Sequence, residues 1–138
     1  MPAVAPLSVQ VFGRRDSRDT QKALRFFKER RVDVHFVDVA VRPPAPGELR
    51  RFAQRLGVRA LLDVEGRRYR DLGLGYIRLG DEELFERLLA DPALLRLPLV
   101  RLGNAFTAGP GETAWGEWIR TSGAGSSRAP GRAPASRA

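Results

Sequence analysis

VQVFGRRDSRDTQKALRFF, residues 9–27, begins with alternating apolar residues, turns at a glycine and continues with the apolar spacing of a helix. The alternation over 7–12 is typical of a half-buried strand. Asp16 and Ser17 follow the turn, and the side-chain oxygen of either residue can cap the start of a helix. A β-branched run at 32–39 predicts a second strand. A strand–helix–strand unit of this kind requires a right-handed crossover and parallel strands.

The chain beyond residue 41 predicts helices, a hairpin and a closing helix. A glycine–asparagine pair at 103–104 suits the type II′ turn of a β-hairpin over 97–108. The polar, glycine-punctuated residues 65–75 predict a loop. The other predicted segments are a helix from Pro46 to Gly57, a helical turn at 58–63, a helix at 81–90 and a closing helix at 113–119. This order predicts a thioredoxin-like α/β fold: a four-stranded mixed sheet flanked by helices, with an inserted helical segment between the second strand and the C-terminal hairpin.

The composition excludes several classes of function. The 138 residues suffice for one domain with a real core. The absence of cysteine excludes disulfides, thiolate metal sites and redox chemistry on the protein's own sulfur. The only histidine, His35, has no ligand cluster at suitable spacing, so no metal site is expected. Neither a spanning apolar run nor a signal-peptide pattern is visible, which predicts a cytoplasmic protein without membrane association.

The net charge of +8 is distributed unevenly. The last 19 residues contain Arg120, Arg128, Arg132 and Arg137 and no acidic residue, which leaves 20 basic and 16 acidic residues in the rest. We therefore predict a domain over 1–119 and a disordered tail rich in Arg, Pro, Ala, Ser and Gly over 120–138. Because no nucleic-acid-binding motif accompanies the basic charge, nucleic acid is not expected as the main partner.

Four stretches together resemble the arsenate reductase-related (ArsC/Spx) family of thioredoxin-like proteins. They are VFGRRDSRDTQKAL, LGVRALLDVEGRRYRDLGL, DEELFERLLADPALLRLPLVRLGNAF and GETAWGEWI, which span roughly residues 8–119. By this resemblance, Ser17 stands where the family has its nucleophilic cysteine. Thr20 stands where Spx-type members have their second cysteine.

The resemblance also implies where the family's oxyanion site has changed. One of the three family arginines matches Arg59, the second is replaced by Leu97, and the third falls near 108–109 and is missing. Pro98 matches the proline beside the family's active site, which is often cis. With Thr20, Leu97 and Pro98 are therefore expected to shape the site.

Ser17 has two interpretations, and neither is redox chemistry. Reduction of arsenate or a disulfide needs sulfur to carry electrons, and a serine nucleophile needs an adjacent base that the lone histidine does not evidently supply. Ser17 is either a helix cap or part of an anion cradle at the helix N-terminus. The candidate anion-binding residues are Arg14, Arg15, Ser17, Arg18 and Arg59.

The resemblance supports two classes of function. We expect a non-catalytic binding or regulatory module whose former active-site face binds an anion, a thiol compound or a protein, with RNA polymerase as a partner by analogy with Spx. The alternative is an arsenate reductase or glutaredoxin-type oxidoreductase that uses an external thiol such as glutathione and holds no cofactor of its own. The missing cysteine and the two missing arginines count against an enzyme, and a purely structural role stays open.

Overall fold

A computed structural model of the protein describes the backbone of residues 7–125 and the side chains of residues 7–121. The strands in this part of the chain are β1 (Ser8–Gly13), β2 (Asp33–Asp38), β3 (Leu99–Leu102) and β4 (Ala105–Ala108). The helices are α1 (Arg18–Glu29), α2 (Pro46–Leu56), α3 (Arg67–Asp71), α4 (Asp81–Ala90) and α5 (Glu112–Gly125). Short 3-10 turns lie at Val58–Leu61, Leu74–Tyr76 and Pro92–Leu94.

The four strands form one mixed sheet in the order β2-β1-β3-β4. β1 and β2 run parallel, as the strand–helix–strand unit requires, whereas β3 is antiparallel to both β1 and β4. Gly103 has a φ of 60° in the turn between β3 and β4, which suits the expected hairpin turn. The predicted four-stranded mixed sheet flanked by helices is confirmed.

The helices bury both faces of the sheet in two separate cores. On one face, Phe27 of α1 and Trp115 of α5 pack against Val9 and Val11 of β1, which alternate along the strand. On the other face, β1 and β3 pack against α2 and α4, with side chains that include Phe12, Phe52, Leu84 and Leu99. Because β1 is central and buried on both faces, it holds the turn that follows it, and with it the start of α1, in a fixed place.

The prediction of a loop over 65–75 is wrong, because this segment contains α3 and a 3-10 turn. Tyr69 and Leu72 are partly buried against the core, and Leu74 is buried. Burial of an apolar face stabilises a helix that its own polar sequence does not favour. Gly73 follows in the left-handed conformation with a φ of 66°, where glycine commonly ends a helix.

The closing helix is longer than predicted. α5 continues through Gly125, six residues beyond the expected end at Ile119. Arg120 pairs with Glu117 at 3.4 Å and the Thr121 hydroxyl donates to the Glu117 carbonyl at 2.9 Å, so helical contacts continue past the expected boundary. The rest of the predicted tail, 126–138, lies outside the described residues. Among residues 7–125, no helix has the length and apolar character needed to cross a membrane.

Candidate functional site

Ser17 begins α1 as its N-cap. Its backbone is extended, with φ −87° and ψ 122°, and its Oγ accepts a hydrogen bond from the Thr20 backbone N–H at 3.2 Å. Its carbonyl accepts from the Gln21 N–H at 3.0 Å, which is the first bond of the helix. The cap satisfies one of the backbone donors that a helix start leaves unpaired. The Ser17 hydroxyl therefore stabilises the start of α1 in the folded chain.

Thr20 lies beneath this turn and is fully buried. Its Oγ1 accepts a hydrogen bond from the Arg14 backbone N–H at 3.4 Å. A Cβ built on Gly13 would lie 2.5 Å from both Oγ1 and Cγ2 of Thr20, so the turn packs directly on this side chain. Thr20 thus shapes the site by supporting its backbone, and its hydroxyl is not open to a ligand.

A cavity of about 320 Å³ opens beside Ser17. It is lined by Arg14, Asp16, Ser17, Asp19, Asp63, Ala93, Leu95 and Leu97. A second cavity of about 210 Å³ shares Asp19, Asp63 and Leu97 with the first and adds Glu65 and Arg96. Together the two cavities bring four carboxylates and two guanidinium groups to one surface. The surface beside Ser17 is therefore acidic.

Three of the four predicted anion-binding arginines are engaged with carboxylates, and the first two are Arg14 and Arg15. The Nη2 of Arg14 lies 2.9 Å from Oδ2 of Asp16, within the Ser17 cavity. The Nε of Arg15 lies 3.7 Å from Oδ2 of Asp38, and its guanidinium carbon lies 5.1 Å from the centre of the Phe36 ring. Arg15 is thus directed toward β2 and is not among the residues that line the cavity.

Arg18 and Arg59, like Arg15, are not among the residues that line the cavity. Arg18 is exposed in the first turn of α1. The Nε of Arg59 lies 3.3 Å from Oδ1 of Asp81, at the start of α4, and its Nη2 donates to the Leu79 carbonyl. Only Arg14 and Ser17 of the five candidates line this cavity. Of the four candidate arginines, the structure places only Arg14 in the cavity beside Ser17, and anion binding by these residues stays a prediction.

Leu97 and Pro98 form one wall of the site. The peptide bond between them is cis. Pro98 is buried, and its carbonyl accepts a hydrogen bond from the Gly109 N–H at 2.9 Å. Leu97 is half-buried and lines both cavities. An apolar side chain thus faces the site where the family resemblance implies an arginine.

The sequence interpretation did not include Asp63, Glu65 and Arg96 in the site. Asp63 reaches it because its backbone N–H donates to the Leu94 carbonyl at 2.9 Å, next to the antiparallel bridge between Leu62 and Leu95. Arg96 lies against Gly109, where an added Cβ would overlap its Nε. One feature of the sequence pointed to Arg96 as a site residue: it directly precedes Leu97, which is expected to shape the site. Within the described side chains, no group of three or more acidic, histidine or cysteine residues is arranged to hold a metal ion.

Solved structures with this architecture confirm the thioredoxin-like arrangement. An arsenate reductase from Vibrio cholerae superposes with a TM-score of 0.72 at 23% identity, over 82% of this chain and 98% of its own. A possible arsenate reductase from Streptococcus mutans gives 0.69 at 20% identity, over 81% and 98%. A protein from Staphylococcus aureus gives 0.68 at 26% identity, over 79% and 96%.

The sequence itself supports the same assignment. No curated protein gives a significant match to the chain. The model of the ArsC family, by contrast, matches residues 12–118, which include Ser17, both cavities and the cis proline. The match extends from the end of β1 into α5 and so takes in most of the described fold. This chain therefore belongs to the ArsC family, as a member without cysteine.

Proposed function

We propose that this chain is a non-catalytic member of the ArsC family that acts as a binding or regulatory module. The Ser17 face, defined as the residues lining the two cavities, is its surface for a protein partner. One observation carries the proposal: at the family's nucleophile position, a capping serine lies beside a cavity lined by Asp16, Asp19 and Asp63. This arrangement has no electron-carrying group, and its carboxylates oppose an anionic substrate.

The absence of sulfur argues against an oxidoreductase that works alone. Reduction of arsenate requires an atom that can give up electrons and form a covalent adduct, and the chain has no cysteine to do so. An external thiol could supply the electrons, but the protein would still have to hold an oxyanion. The alternative of a glutathione-dependent reductase therefore depends on whether the Ser17 face tolerates anions.

The charges of the Ser17 face oppose small anionic ligands. A helix N-terminus attracts an anion by about 0.3–1 kcal/mol. A single carboxylate about 5 Å away repels a unit negative charge by about 0.8 kcal/mol in water, and by more where water is excluded. Because Arg14 pairs with Asp16, the other two carboxylates of this cavity would together repel such a charge by about 1.6 kcal/mol at that distance, which exceeds the typical attraction of the helix terminus. Arsenate, phosphate and glutathione are all disfavoured, whereas a basic side chain of a protein partner is favoured.

RNA polymerase is a specific candidate partner, because the Spx branch of the family implies it, and it is consistent with the expected cytoplasmic location. The experiment places a photo-crosslinking amino acid at Ala93, an exposed residue that lines the Ser17 cavity. The matched control carries it at Gln54, an exposed residue of α2 outside both cavities. With purified RNA polymerase, we expect crosslinks from position 93 and none from position 54.

Two further measurements separate a binding module from an enzyme. The double variant Asp19→Asn, Asp63→Asn removes charge from the Ser17 face and should weaken the crosslink. The double variant Glu29→Gln, Asp71→Asn removes the same charge from exposed positions outside the two cavities and should not. Arsenate reduction with glutathione and glutaredoxin should stay at the background rate. Turnover above background would contradict the proposal and establish the glutathione-dependent alternative.

A further inference from the structure

β2 lies at one end of the sheet and pairs only with β1 among the described strands. The Asp33 N–H donates to the Leu7 carbonyl, and the Val39 N–H donates to the Gly13 carbonyl, both at 2.9 Å. Alternate residues of a strand direct their backbone N–H and C=O groups to the same side. Every second residue from Asp33 to Val39 therefore directs these groups toward β1. Those between them are directed toward the open edge.

Val34 and Phe36 are the two positions that offer their backbone groups at this edge. Asp38 lies in the same alternation, but its carbonyl already accepts from Val41 at 3.0 Å and from Arg42 at 2.8 Å. Val34 and Phe36 therefore present two N–H donors and two carbonyl acceptors, which is the row of groups that an added strand would use.

The same two side chains line a groove between α1 and β2. The groove has a volume of about 600 Å³. It is lined by Arg15, Leu24, Lys28, Arg31, Val32, Asp33, Val34 and Phe36. Leu24, Val34 and Phe36 are half-buried apolar residues, so the floor of the groove is apolar. Main-chain pairing along an edge, together with a pocket for alternate side chains, is the arrangement by which proteins bind an extended peptide.

The charge around the groove selects the occupant. Lys28 and Arg31 line the groove beside the apolar floor, as does Arg15, whose partner Asp38 lies outside the lining; the single acidic lining residue is Asp33. A second copy of this chain, paired antiparallel through the same edge, would bring the two sets of basic residues toward each other. An acidic segment would instead place its carboxylates beside them. Charge complementarity therefore favours an acidic partner over self-association.

We propose that the open edge of β2 binds an extended acidic segment of a partner protein by β-strand addition. The segment pairs with the backbone of Val34 and Phe36, places alternate apolar side chains in the groove, and directs carboxylates toward Lys28 and Arg31. This surface is separate from the cavities beside Ser17, so the inference goes beyond the function proposed above.

The test uses the full chain and an eight-residue synthetic peptide with blocked ends that alternates glutamate and valine. Titration followed by amide-resolved NMR should give saturable shifts centred on Val34 and Phe36, with slowed hydrogen exchange of these two amides. A peptide with lysine in place of glutamate should bind more weakly. N-methylation of every second peptide nitrogen should abolish binding in one of the two possible frames, because the methyl groups remove the donors that pair with β2.

Charge variants on one helix test the groove itself. Lys28→Glu should weaken peptide binding by about three- to tenfold, as expected for reversal of an exposed charge near a carboxylate. Arg25→Glu makes the same change at an exposed position of α1 that does not line the groove, and should leave binding nearly unchanged.

Three results would overturn the proposal. They are equal binding of the lysine peptide, full binding of both N-methylated peptides, and a dimer in sedimentation whose protected amides are those of Val34 and Phe36. The last result would assign the edge to a second copy of the chain.

Discussion

At the scale of single residues, the hydroxyl of Ser17 contributes to stability through the cap of α1. Its Oγ accepts from the Thr20 N–H at 3.2 Å, so Ser17→Ala leaves that donor without its partner. We expect the variant to lose about 1 kcal/mol of unfolding free energy, whereas Ser17→Asp, which can also cap, should lose less. Urea denaturation measures both. Equal stability of the alanine variant and the natural chain would show that the hydroxyl does not act as a cap.

Gly13 and Gly47 give opposite expectations for the same substitution. A methyl group on Gly13 would lie 2.5 Å from the buried Thr20 side chain, which is branched and tightly held, so Gly13→Ala should cost about 1–3 kcal/mol. A methyl group on Gly47, in the first turn of α2, meets nothing within 4 Å.

Gly47→Ala should therefore be neutral or stabilising by up to about 1 kcal/mol. Thermal unfolding of the two variants provides the comparison. A Gly13→Ala variant as stable as Gly47→Ala would contradict the packing of the turn on Thr20.

At the scale of elements, one exposed ion pair joins α2 to α4. The Arg50 guanidinium donates to both carboxylate oxygens of Glu82, at 3.2 and 2.9 Å, and stacks 3.7 Å above the centre of the Phe85 ring. The hydrogen bond from Arg50 is the main cause that lowers the pKa of Glu82 below its ordinary value. The stabilisation that the Arg50–Glu82 pair gives to the folded state is therefore complete above the ordinary glutamate pKa. It is lost as the pH falls through the lowered pKa of Glu82 in the folded state.

Glu82→Gln should accordingly lower the Tm at neutral pH and have a smaller effect in acid, where the natural glutamate is protonated too. The effect should be small, because both partners are exposed and water screens the pair. Thermal melts of the two proteins across this pH range give the difference. A double-mutant cycle with Arg50→Gln separates the ion pair from the packing of Arg50 on Phe85. A Tm difference that is independent of pH would contradict the assignment.

The elements that the sequence predicts well are those whose signals are local. The alternation in β1, the cap at Ser17 and the glycine–asparagine turn each depend on a few adjacent residues. α3 was missed because its stability comes from Tyr69 and Leu72, which pack on residues far along the chain. A pattern confined to five polar-looking residues carries no sign of that burial.

At the scale of the whole molecule, the site too combines features that can be predicted from sequence position with features that depend on contacts between distant segments. Ser17 and Leu97 could be predicted to shape it because the family resemblance places them by position, and both line the cavity. The acidity of the site could not be predicted, because Asp63 joins it through the bridge between Leu62 and Leu95. Arg59 stays outside because its partner is Asp81, on a helix that begins 22 residues after it. Pairings between distant segments decide the charge of the Ser17 face.

The most direct test of the account is an amide-resolved NMR titration of the full chain with arsenate, at fixed ionic strength. Phosphate and reduced glutathione serve as further anions, and the variant Asp19→Asn, Asp63→Asn serves as a less acidic control. The account predicts no saturable, localised shifts at residues 14–20 or at Leu97 in the natural chain, and stronger phosphate shifts in the variant. Saturable shifts of the natural chain at those residues would contradict the central claim, because the Ser17 face would then still be an anion site.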